Sequence, residues 1–173
     1  KTIFFAGLTL IALVILIALI SGSIANSNKE PWQRIAARLN TTEALVDSST
    51  SHIKSSQLRV INSDLKLYLA NTKRDLATPI SELGIILAET PPKIIAEESG
   101  EGIKQRLENG RLNARYDSTY AREMTYQVAQ ILSQLQILHA TNVGPNTKAI
   151  IKTAYDNLTP TYEALSEFST ANE

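Results

Sequence analysis

The chain opens on a run that is apolar on every side. From Ile3 to Ile20 it reads IFFAGLTLIALVILIALI, interrupted only by Gly7 and Thr9, and no charged residue stands between Lys1 and Lys29. As a helix rising 1.5 Å per residue the run is roughly 27 Å long, close to the hydrocarbon thickness of a bilayer. A helix apolar all round cannot be satisfied by laying one face on a small bundle; it requires lipid or neighbours on all sides. The pattern therefore predicts an apolar helix over residues 1–22, either spanning a membrane or lying in the core of a filament. A cleaved signal core is shorter, about 7 to 15 apolar residues. The lone positive charge of Lys1 favours a cytoplasmic N-terminal side, which would put the remainder of the chain outside the cell.

Residues 23–30 are small and polar and read as a spacer. Beyond them the pattern changes to apolar positions stepping by three and four, the period of an amphipathic helix. Trp32, Ile35, Ala36, Leu39, Leu45 and Val46 predict a helix over 31–48, with Pro31 suited to its first turn. Leu58, Ile61, Leu65, Tyr68, Thr72 and Leu76 mark a second. Pro79 is expected to kink or restart that helix with Thr78 as cap, Ile80, Leu83 and Leu87 carrying it on to Thr90-Pro91-Pro92. Residues 91–110 read as a loop with one or two short helices. Tyr116, Tyr120, Met124, Val128, Ile131, Leu135 and Leu138 predict a long helix over 111–141, closed by the reversal Asn142-Val-Gly-Pro145. Ile151, Tyr155, Leu158, Tyr162, Leu165 and Phe168 mark a last helix with a possible bend at Pro160. The fold class is all-α: an antiparallel bundle of about four helices over 31–173, in the simplest case up-and-down.

Composition narrows the function more by exclusion than by assignment. With 7 Gly and 6 Pro the chain has too few turn residues for an all-β fold. Lys+Arg and Asp+Glu both number 17, so no net charge draws the protein to nucleic acid, and the absence of cysteine excludes disulfides, thiol catalysis and cysteine metal sites. His52 and His139 stand in no metal-ligand spacing, and no serine lies in a nucleophile motif. Glu97, Glu98 and Glu101 read as an acidic loop rather than a cation site. Arg111, Arg115 and Arg122 fall on one line of a helical wheel and form a candidate ridge for phosphate or carboxylate groups. Asn40 and Asn157 stand in N-x-T sequons, a pattern common by chance.

An apolar N-terminal helix followed by an exterior domain resembles, in plan, the type IV pilin family, over roughly residues 1–30. Where that family carries Glu at the fifth position, this chain has Phe5. The resemblance implies a subunit that leaves the membrane and stacks its helix in a filament core. Phe4, Phe5, Gly7, Leu8, Ala12, Leu13, Leu16 and Leu19 would then make the assembly or anchor face, Gly7 and Ala12 letting helices approach closely. The expectation is a non-enzymatic, cofactor-free protein of the cell membrane or surface, a filament or pilus-like subunit whose partners are copies of itself and membrane lipid, with no nucleic acid. The alternative is a single-pass anchored bundle that binds an extracytoplasmic partner or ligand.

Overall fold

A computed structural model describes residues 29–141 and 143–172. The expected apolar helix, its assembly face and most of the spacer lie outside these residues. Among the described residues every regular element is helical, and no helix is long and apolar enough to cross a membrane. The elements are α1 (29–49), α2 (Ser56–Glu82), a 3-10 turn (Leu87–Glu89), α3 (Pro92–Glu97), α4 (Glu101–Leu112), α5 (Tyr116–Ala140) and α6 (Pro145–Ala171).

The three-four stripes are the core. Trp32, Ile35 and Leu39 of α1 are buried with Leu58, Leu65 and Leu76 of α2, Met124, Ile131 and Leu135 of α5, and Ile151, Leu158 and Leu165 of α6. On α2 the stripe turns slightly from its expected line: Leu69 is fully buried and Tyr68 only half so. Trp32 packs within this core at 2% exposure.

Cross-helix contacts fix the directions. Asp47 pairs with Lys66 at 2.7 Å and Glu43 with Lys73, so α1 and α2 are antiparallel. His52 lies against Tyr116 and Arg38 against Gln127, so α1 and α5 are antiparallel as well. Gln136 donates to Tyr155 across the short α5–α6 reversal. The end of α2 and the start of α6 line one cavity, setting these two neighbours antiparallel. All four neighbouring pairs therefore run antiparallel, while α2 and α5 lie on a diagonal and point the same way.

That diagonal replaces the simple up-and-down order. After α2 the chain must return the length of the bundle, about 40 Å for its 27 residues, before α5 can begin. The 3-10 turn, α3 and α4 make the return over the outside of α1 and α5, with Ile94, Ile103 and Leu107 buried beneath them. Their corner is Gly100, in the left-handed region at φ +68°, where an added Cβ would come within 2.6 Å of Thr41 Cγ2. Only glycine satisfies both the dihedral angle and the close approach.

Two boundary expectations are corrected, and the last helix is continuous. Helix α2 runs through Pro79 without a break and ends three residues later, leaving Leu83 and Leu87 exposed beyond it. The helix expected from residue 111 is two helices, α4 and α5, separated at Asn113–Arg115, where Ala114 takes φ +55°. Helix α6 continues through Pro160.

Candidate functional site: a cationic cleft at one end of the bundle

One end of the bundle gathers the C-terminal turns of α1, α4 and α6 and the first turns of α2 and α5; we call it the far end, since Lys29 starts at the other. Each strand of chain arriving there leaves polar backbone to satisfy. Ser55 caps α2, its hydroxyl accepting from the Leu58 N–H. Asp117, in the first turn of α5, accepts from the backbone N–H groups of Lys54 at 3.0 Å and Ser55 at 2.7 Å, tying the α1–α2 turn to α5. Gly110 lets α4 abut α5: a Cβ there would lie 2.6 Å from Thr119 Oγ1. The Arg115 N–H closes the chain break by donating to Gly110 at 2.7 Å.

Between these elements lies a cleft of about 1040 Å³. Among the described residues its charged lining is unequal: Lys54, Arg59, Arg111 and Arg115 are cationic and Asp117 alone is anionic. Arg111 is held by Glu108 through two hydrogen bonds of 2.6 and 2.7 Å, which raises its pKa and lowers that of Glu108. No ion pair holds Lys54, Arg59 or Arg115 among the described residues, and all three are exposed.

The floor is aromatic. Tyr116 lies 5.3 Å from the His52 ring and stacks at 6.3 Å on Tyr120. Burial pushes the Tyr116 hydroxyl above its ordinary pKa, and that of Tyr120 further. Tyr120 donates to Asn62 across the diagonal of the bundle, Asn62 donates to Thr50, and Thr50 donates to the Val46 carbonyl. This chain of hydrogen bonds, buried at its Tyr120–Asn62 link and reaching the surface at Thr50, joins α5, α2 and α1 beside the Tyr116 floor of the cleft.

The wheel placed Arg111, Arg115 and Arg122 on one ridge. The break at Asn113–Arg115 separates them: Arg111 ends α4, Arg115 caps α5, and both line the cleft, whereas Arg122 lies outside it beside Glu123 at 3.5 Å. Lys54 and Arg59 were not singled out in the sequence; nothing local to residues 54–59 reveals that they share an end with residues 111–118. The acidic group has partners of its own. Glu97 and Glu98 pair with Arg34, Glu98 also with Arg38, and Glu101 with Lys104. His139 sits in the last turn of α5, where a ring N–H suits the helix dipole. Among the described residues no three acidic or histidine side chains are placed to hold a metal ion.

Comparison with protein families, with curated proteins and with solved structures finds no match.

Proposed function

We propose that this chain is a membrane-tethered, non-enzymatic helical bundle whose far end binds an anionic group of an extracytoplasmic ligand or partner. The observation that carries the reading is the convergence of Lys54, Arg59 and Arg115 on one cleft without carboxylate partners among the described residues. The protein as a whole has 17 cationic and 17 acidic side chains, so this local excess is a separation of charge rather than a share of a general one. Arginine's planar fork matches carboxylate and phosphate oxygens, and a charged donor bonds such groups more strongly than a neutral one. The tether is supported by the apolar run of residues 3–20.

Binding to the folded state raises the melting temperature. Inorganic phosphate or citrate, titrated at constant ionic strength, is expected to raise it for the native chain. The double variant Lys54→Ala/Arg115→Ala should melt at about the native temperature without the anion, since both side chains are exposed, and should show no rise with it. An equal rise in the variant, or none in the native chain, would contradict the cleft as the site.

A filament subunit is the second reading, favoured by Gly7 and Ala12 within the apolar run and by the plan shared with type IV pilins. Negative-stain images of the intact chain separate the two, discrete particles supporting the tether and regular fibres the filament. Leu13→Arg puts a charge in the middle of the apolar run, costing about 2.5–3.5 kcal/mol on insertion scales if that run spans lipid.

A further inference from the structure

The two ends of the bundle differ in kind. Opposite the cationic cleft, the end where α1 starts carries Leu83, Ile86 and Leu87 at 45%, 56% and 42% exposure, on the loop that follows α2. Val143 and Pro145 of the α5–α6 reversal lie beside Leu83. Lys29, the first described residue of α1, donates to the Gly84 carbonyl of the same loop at 3.4 Å, which ties the apolar loop to the point where the chain arrives from residues 1–28. Single exposed apolar side chains are ordinary on a protein surface. Three within five residues, gathered at one end, are not scattered.

We infer that this end is a membrane-contacting surface: Leu83, Ile86 and Leu87 insert into the headgroup–acyl boundary of the bilayer next to the N-terminal helix. The inference rests on the tether reading. From Ser21 to Asn28 the link has eight residues, at most about 28 Å even fully extended. A bundle held that closely brings its α1-start end to the interface, and apolar side chains there sink about 5–10 Å into the boundary region. The charges of the end, Lys29 and Lys93 against Glu30, Glu82 and Glu89, nearly balance, so the contact needs no anionic lipid. Docked this way, α1 stands away from the membrane and the cationic cleft faces outward.

The chain has no cysteine, so one introduced thiol gives a unique label. In vesicles of zwitterionic phosphatidylcholine, a bimane on Ile86→Cys of the full chain is expected to lose most of its emission to a doxyl quencher placed at the headgroup boundary. The same label on Thr170→Cys, exposed at the far end and outside the cleft, should be unaffected. A label on Leu13→Cys reads the tether separately, through quenchers deep in the acyl region. Quenching of Leu13→Cys with none of Ile86→Cys would overturn the interfacial contact and leave the tether standing. Absence of quenching at both would overturn the two together.

Discussion

Replacing Glu98 by Ala is expected to lower the unfolding free energy by about 3–5 kcal/mol, the usual cost of removing one partner of a buried ion pair. The Glu98 side chain is 3% exposed and its carboxylate faces Arg34 at 3.2 Å and Arg38 at 2.5 Å. Arg38 is itself 13% exposed, and after the substitution its remaining side-chain contact is the Gln127 oxygen at 3.2 Å. The loss would act on the crossover that joins the two halves of the bundle, because Glu98 is the C-cap residue of α3 and the arginines belong to α1. Lys66→Ala is the comparison: its pair with Asp47 is about half exposed on both sides, and such pairs contribute about 0–1 kcal/mol. Urea unfolding followed by circular dichroism measures both. Equal small losses would mean that α3 is dispensable to the fold.

Leu135→Ala should cost about 2–5 kcal/mol, the range for emptying a fully buried leucine site. Leu135 is inaccessible to solvent on α5 and belongs to the core shared with α6. Against a typical domain stability of about 5–15 kcal/mol, such a loss is a large fraction of the whole. Arg122→Ala, on the opposite side of the same helix and 58% exposed, should change stability by less than about 0.5 kcal/mol. The contrast tests the inward face of α5 directly. A reversed order of effects would place the wrong face in the core.

The sequence states the helices far better than it states how they connect. The stripes on α1, α5 and α6 are written in local spacing, and their apolar residues are where that spacing puts them. The diagonal placement of α2 and α5 depends on contacts between residues about sixty apart, such as Asn62 and Tyr120, and no local pattern encodes it. The break before α5 was hidden for a related reason. Tyr116 keeps the three-four step with Tyr120, and neither proline nor glycine marks positions 113–115; the left-handed turn at Ala114 is imposed by packing of α4 on α5 through Gly110. Half of the cleft was therefore visible, in Arg111 and Arg115, for the wrong geometrical reason. The other half, Lys54 and Arg59, appears only once the α1–α2 turn is brought to the same end by the fold.

Anion binding at that cleft is tested most directly by amide chemical-shift mapping. With inorganic phosphate titrated into the chain at fixed ionic strength, saturable shifts are expected, confined to residues 51–59 and 111–118 and absent in the Lys54→Ala/Arg115→Ala protein. Shifts spread along the exposed lysines and arginines without saturation, or centred elsewhere on the bundle, would contradict it.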